Sequence, residues 1–201
     1  MDEYNRLFDN DKLLEPGFMI SMYARGSFPM AEEGGVINWY LPKIRAVIPI
    51  EKFNIPKSLK KFMKTALFEY RFDCDTISVI KNCSNRNETW ISPDLIEAYE
   101  KLINLGYVHS VEVYQKDELV GGLYGIAFRG AFFGESMFSK VPQASKCAMV
   151  KLFENLKIKG YDIVDVQYIT NHLAMFGTIE IPYDDYVEIL VRAYKKEIEF
   201  I

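Results

Sequence analysis

Cysteine and histidine are scarce in this sequence, with three and two among 201 residues. Cys74, Cys83 and Cys147 are odd in number, widely spaced and lack a CxxC pair, so a disulfide framework is excluded. With His109 and His172 the only histidines, no zinc-ligand spacing exists either, and no metal or cofactor is expected. The thiols are read as free ones in a reducing compartment. No apolar run approaches the ~18 residues needed to span a bilayer. Residues 1–17 are polar and acidic and lack the basic and apolar segments of an export signal, so the chain is read as soluble and cytoplasmic. There is no Gly-Lys-Ser/Thr phosphate loop, no internal repeat, and no Ser or Cys set beside a histidine to suggest a triad.

What is present is a core. Apolar residues make up 49% and charged residues 26%, close to globular averages, and the length suits one domain with a small appendage. The net charge of −4 argues at first sight against a polyanion partner. That charge is unevenly spread. Residues 43–64 carry Lys43, Arg45, Lys52, Lys57, Lys60, Lys61 and Lys64 against Glu51 alone, a net +6. Such a run is either a solvated face or the footprint of a polyanion site.

Along the chain, residues 17–26 read as a short helix stopped by Gly26, and residues 36–40 as a strand after the Gly34-Gly35 turn. Pro42 marks the boundary of an N-terminal subdomain, residues 1–42, too small to stand alone. The remainder, residues 43–201, opens with a strand at 45–50. A lysine-rich helix follows at 57–66, with Ser58 as its cap, then a strand at 68–73 and helices at 77–83 and 92–105. Ser92 caps the last of these, with Pro93 at its first position. Strands at 109–115, 119–128 and 131–138 form an antiparallel meander. A helix at 145–159, a strand at 161–168, a helical turn at 171–176 and a helix at 183–194 complete an α+β pattern with a mixed sheet and flanking helices.

Three features could carry chemistry. Glu135 interrupts the aromatic strand Phe133-Gly134-Glu135-Ser136-Met137-Phe138, and alternation places Phe133, Glu135 and Met137 on one face. Either it is an edge-strand glutamate facing water or a carboxylate that binds an amine or hydroxyl. Asp165 and Gln167 alternate with Val164 and Val166, which predicts both polar groups on one face of a strand. The pair suits polarising a nucleophile, or it is a strand end meeting solvent. Gly121, Gly122 and Gly125 sit inside a strand and mark a bulge or a close approach of backbone or ligand.

Read together, His109 to Tyr114, Leu119 to Gly125, Phe133 to Ser139, Ala144-Ser145-Lys146 and Asp165-Val166-Gln167 resemble the bacterial leucyl/phenylalanyl-tRNA–protein transferases. Tyr23 to Pro29, Trp39 with Pro42, Arg45-Ala46-Val47, Thr89-Trp90-Ile91 and Ala98-Tyr99 agree, in the same order. The resemblance implies an acyltransferase fold of the acyl-CoA N-acyltransferase (N-acetyltransferase-like) superfamily, preceded by a small N-terminal domain. It implies transfer of leucine or phenylalanine from aminoacyl-tRNA to the α-amine of a protein beginning with Arg or Lys, which marks that protein for degradation. Asp165 and Gln167 match the catalytic relay and Glu135 the active-site carboxylate. Trp90, Tyr99 and Trp39 match positions that contact the terminal adenosine or substrate. Leu123, Phe132, Leu152 and Leu156 match the pocket for the transferred side chain, and Lys57, Lys60, Lys61 and Lys64 the tRNA-binding cluster. The partners implied are aminoacyl-tRNA and a protein with a basic N-terminal residue, and the enzyme is expected to be a monomer without a cofactor.

The sequence departs from the family pattern where Met30 stands for a tryptophan, Trp39-Tyr40 for a Trp-Trp pair, and Leu152 and Leu156 at positions that can be aromatic. Methionine has no planar face for stacking, and the leucine pair leaves the preference between leucine and phenylalanine open. Two other readings compete with this one. A CoA-dependent acyltransferase needs a glycine-rich pyrophosphate loop, and residues 139–146 contain no glycine. A non-catalytic tRNA-binding module would use the basic helix and aromatics and leave Asp165 and Gln167 dispensable.

Overall fold

The computed structural model describes residues 10–201; the first nine residues, part of the polar stretch and of the N-terminal subdomain read above, lie outside it. Helix α1 (Asn10–Leu13) leads into α2 (Pro16–Tyr23), whose N-terminus is capped by the Glu15 carboxylate. Strands β1 (Phe28–Ala31) and β2 (Ile37–Tyr40) form a separate two-stranded antiparallel ribbon. The main sheet comprises β3 (Ile44–Pro49), β4 (Glu69–Phe72), β5 (Val108–Gln115), β6 (Glu118–Phe128), β7 (Ala131–Ser139), β8 (Ile163–Gln167) and β9 (Ile179–Pro182). Its spatial order is β4-β5-β6-β7-β8-β3-β9. Every neighbouring pair is antiparallel except β7 and β8. Parallel neighbours need a crossover, and α6 (Ala144–Lys159) supplies it.

Alternation along the strands divides the core into two layers. Ile48, Leu123, Phe132 and Val164 face one side, where α3 (Lys57–Thr65) and α6 pack. Val47, Tyr124, Phe133 and Ile163 face the other, under α4 (Thr76–Ser84), α5 (Pro93–Asn104) and α8 (Tyr183–Ala193). The N-terminal segment adds Met19, Tyr23, Phe28 and Ile37 to this second layer and therefore shares its core with the rest of the chain.

The meander and the mixed sheet form as the sequence pattern predicts, and Ser92 caps α5 by accepting the Leu95 N–H at 3.2 Å. Ser58 is not a cap: α3 begins at Lys57 after Pro56, without a side-chain cap. The predicted strand at 161–168 is shorter, ending at Gln167, whose φ is +60°. Strands β1 and β9 and the short α1 have no counterpart in the sequence pattern.

Two irregularities overturn the alternation arguments. In β7, Tyr124 pairs with Ser136 and Gly125 with Gly134, so Glu135 is the extra residue of a β-bulge. Phe133 consequently packs in the second layer and Met137 against the first, not together on one face. In β8, Ala46 pairs with Gln167 but Val47 with Asp165, so the register slips at Val166. The strand glycines fit close approaches: a Cβ on Gly121 would lie 2.5 Å from the Ala144 Cβ, and one on Gly125 2.3 Å from the Phe133 carbonyl.

Candidate active site

Strands β7 and β8 pair in parallel only as far as Phe133 with Asp165. Both continue beyond that point, and between their ends lies an apolar cavity of about 80 Å³. Gly134, Glu135, Ser136 and Met137 form one wall, and Val164, Val166 and Gln167 another. Leu123, Tyr124, Met149, Leu152 and Leu173 complete the lining. The bulge is the device that aims Glu135. It inserts a carboxylate at the place where the strands part.

Glu135 Oε2 accepts a hydrogen bond from the Tyr99 hydroxyl at 2.9 Å, and the Tyr99 and Tyr23 hydroxyls meet at 3.1 Å. Its other oxygen, Oε1, is buried and has no partner. Burial raises the Glu135 carboxyl from 4.5 to about 7. The hydrogen bonds from Tyr99 and Tyr23 oppose the rise, the charge of Asp165 adds to it, and Arg45 offsets part of it. Burial first, and then the Glu135 charge, hold Tyr99 and Tyr23 well above the usual phenol range, so both remain protonated donors. The reading of Glu135 as an edge glutamate in water is thereby overturned.

Asp165 lies on the opposite side of β8 from the cavity, fully buried, and faces Arg45, which is also fully buried. Arg45 donates through Nε at 2.9 and 3.0 Å and through Nη2 at 2.6 Å. The Tyr186 hydroxyl donates at 2.5 Å and the backbone N–H of Gln167 at 2.9 Å. The guanidinium carbon lies 4.9 Å from the Phe28 ring centre and 5.3 Å from that of Tyr186. Burial opposes the charge on Arg45, but the charge and hydrogen bonds of Asp165 outweigh it and raise its pKa. Burial and then the Asp165 charge keep Tyr186 a neutral donor.

Gln167 lines the cavity with Val164 and Val166, and its Nε2 is buried without a partner. Asp165 and Gln167 therefore do not share a face. The register slip and the left-handed φ of Gln167 separate them, and Asp165 holds the backbone N–H of Gln167, not its side-chain amide.

A family model for the leucyl/phenylalanyl-tRNA protein transferases matches residues 47–191, and a second, for their N-terminal domain, matches residues 13–43. This chain belongs to the leucyl/phenylalanyl-tRNA protein transferase family. A curated member from Herpetosiphon aurantiacus is 48% identical over 90% of this chain and 95% of its own length. One from Salinibacter ruber is 42% identical over 90% of this chain and 80% of its own. Among solved structures, that of L-PGS from Bacillus licheniformis superposes with a TM-score of 0.46 at 12% identity, covering 78% of this chain and 57% of that one.

The transferase family positions carried over by resemblance fall in different places. Leu123 and Leu152 line the cavity, whereas Phe132 and Leu156 lie wholly inside the first core layer beneath it, Phe132 stacked on Phe200. Met137, Met149 and Leu173 line the cavity as well. Tyr99 is fully buried and offers no face to an adenosine; its hydroxyl orients Glu135 instead. Trp39 is spent on packing, with its indole N–H on the Leu13 carbonyl and its ring edge-on to Tyr23. Trp90 is half-buried in the loop before α5, where its carbonyl accepts the Ala31 N–H, and it does not line the cavity.

Lys57, Lys60, Lys61 and Lys64 are all exposed on α3, and none makes an ion pair with a described residue. Arg45 must be removed from the basic segment, because Asp165 neutralises it in the interior. Sequence reasoning missed the site roles of Arg45, Tyr23 and Tyr186. A signal for Arg45 was available, since an arginine flanked by Ala46-Val47-Ile48 on a core strand requires a buried counter-charge.

His109 is fixed between Asp73 and the Gly106 carbonyl and stacks on Phe200, a structural role. Among the described residues no cluster of three or more His, Cys, Asp or Glu could hold a metal ion, and no helix is long and apolar enough to cross a membrane.

Proposed function

We propose that this protein transfers leucine or phenylalanine from aminoacyl-tRNA to the N-terminal α-amine of proteins that begin with Arg or Lys, tagging them for degradation. Family membership supplies the reaction class. The observation that carries the site assignment is the cavity between the parting strands, whose lining residues carry an unpartnered acceptor, Glu135 Oε1, an unpartnered donor, Gln167 Nε2, and the unpartnered hydroxyl of Tyr124. The donor substrate is an ester and already activated, so the enzyme must mainly align an amine with a carbonyl and manage one proton.

In this reading the transferred side chain enters the apolar cavity against Leu123, Met149 and Leu152. The Gln167 amide N–H donates to the ester carbonyl oxygen, where negative charge grows. Glu135 Oε1 accepts the surplus proton of the attacking amine. The N–C bond forms, the bond from the carbonyl carbon to the ribose oxygen breaks, and the proton passes to that oxygen, leaving free tRNA and the extended protein. An α-amine has a pKa near 8, so a base that titrates near neutrality is adequate.

The parting of one parallel strand pair in a mixed sheet also supports an N-acyltransferase-like fold for residues 43–201, with residues 1–42 as the appended N-terminal unit. The exposed lysines of α3 are proposed to grip tRNA, and a monomer in the cytosol is the form proposed to act. Incubation with leucyl-, phenylalanyl- and methionyl-tRNA and an Arg-initiated peptide tests the reading by mass. A product extended by one leucine or phenylalanine is expected; no extended product with any donor overturns it.

A further inference from the structure

Gln167 adopts a left-handed backbone conformation, φ +60°, which side-chain-bearing residues rarely occupy. Such a conformation persists where surrounding contacts over-determine it. Here two contacts do so: the Tyr168 N–H donates to the Val166 carbonyl at 2.7 Å across Gln167, and the Asp165 Oδ1 accepts the Gln167 N–H two residues on, the local turn that an aspartate favours. A carboxylate holds that turn only if its own orientation is fixed.

Two residues fix it. Arg45 comes from β3, which pairs with β8, and its Nε and Nη2 contact both oxygens of Asp165. Tyr186 lies in the first turns of α8, placed over β3 because β9, which pairs with β3, runs directly into that helix. The Tyr186 ring is in turn seated against Gly26, where a Cβ would fall 2.4 Å from its Cε1. Neither Arg45 nor Tyr186 lines the cavity. Arg45 Nη1 is buried without a partner, but both oxygens of Asp165 are engaged, and the network ends on Gln167, whose backbone turn brings its amide to the cavity wall.

We infer that Arg45 and Tyr186 are positioning residues for Gln167: they clamp Asp165, Asp165 holds the left-handed turn, and the turn presents the Gln167 amide to the reacting groups. The inference rests on the transferase reading for its kinetic consequence but not for its structural one. In this arrangement Asp165 is a strut and not the base.

The test is Tyr186→Phe, which removes one hydroxyl and keeps the ring. It should lower kcat about tenfold, the low end of what a hydrogen bond to a charged group contributes, while KM for both substrates stays within about twofold. In a Gln167→Ala background the same change should cost nothing further, because the clamp then has nothing to position. Arg45→Lys, which keeps the charge but not the fork, should recover part of the activity lost in Arg45→Met. The Gln167 amide proton should exchange with solvent at least tenfold faster in Tyr186→Phe, while amides in the β6 ladder are unchanged.

An equal loss in the Gln167→Ala background, a rise in KM without a fall in kcat, or unchanged Gln167 exchange would each overturn the inference. If the wild-type protein forms no product, the transferase reading fails, and the exchange measurement still decides whether the clamp exists.

Discussion

Replacing Glu135 by glutamine tests the acid–base assignment through stability as well as rate. Burial lifts the Glu135 carboxyl from 4.5 to about 7, which corresponds to roughly 3 kcal/mol of differential stability between its two charge states. The unfolded chain releases this proton near 4.5 and the folded chain near 7. Below 4.5 both states are protonated and the group is neutral to stability. As the pH rises from 4.5 to 7 the unfolded state ionises first, so stability falls, and above 7 the full cost remains. The groups facing it are the Tyr99 and Tyr23 hydroxyls, Tyr124, Asp165 and Arg45, and with Arg45 already paired to Asp165 no cation contacts Glu135 to cancel that cost.

Glu135→Gln should therefore be close to neutral at pH 4 and stabilising by up to about 3 kcal/mol at pH 8, read from urea unfolding at a series of pH values. The same substitution should lower single-turnover transfer about a hundredfold or more. Wild-type transfer should rise about a hundredfold per pH unit below 7, where Glu135 and the acceptor amine titrate together, and only about tenfold per unit in the variant, which keeps the titration of the acceptor amine alone. A difference in stability that does not change with pH, or a variant with the wild-type rate and profile, would refute the reasoning.

Two further outcomes are expected. Leu152 lines the cavity while Leu156 lies below it, so Leu152→Phe should lower the use of phenylalanyl-tRNA relative to leucyl-tRNA about tenfold, and Leu156→Val should leave the ratio unchanged, both measured by competition between the two donors. Reversing Lys57, Lys61 and Lys64 to glutamate on the exposed face of α3 should weaken tRNA binding and flatten the log–log dependence of its affinity on salt by about one unit of slope for each phosphate no longer neutralised, with Kd for the acceptor peptide unaltered; a salt slope equal to wild type would return these lysines to a plain solvated face.

How much of this was legible in the sequence follows from what each signal depends on. The capped helix at Ser92 and the meander of β5, β6 and β7 rest on local chemistry, and both are as the pattern predicts. Strand β9 is a four-residue edge strand with mostly exposed side chains, and β1 contains Pro29, so neither offers a period to read. The bulge at Glu135 and the register slip at Val166 are set by the partner strand, and each inverts the face that simple alternation assigns. Glu135 and Gln167 therefore meet at one cavity with Asp165 behind it, but not with the side-chain directions that alternation assigns. Tyr99 shows the same limit: an aromatic at a position that the resemblance gives to substrate contact lies inside the core and meets Glu135 through its hydroxyl.

The two carboxylates of the site divide their labour by surroundings alone. Asp165 sits on a strand fully paired on one side, with a guanidinium and a phenol filling its oxygens, so its charge is committed to holding structure. Glu135 sits in a bulge, meets only phenols, and keeps one oxygen without a partner where the strands part. A group that is satisfied in the resting protein gains nothing when substrate arrives, whereas one that is buried and unsatisfied is relieved by an amine that donates to it. In the proposed transfer, substrate binding and the onset of chemistry therefore converge on Glu135, and the residues around Asp165 keep Gln167 in place while it happens.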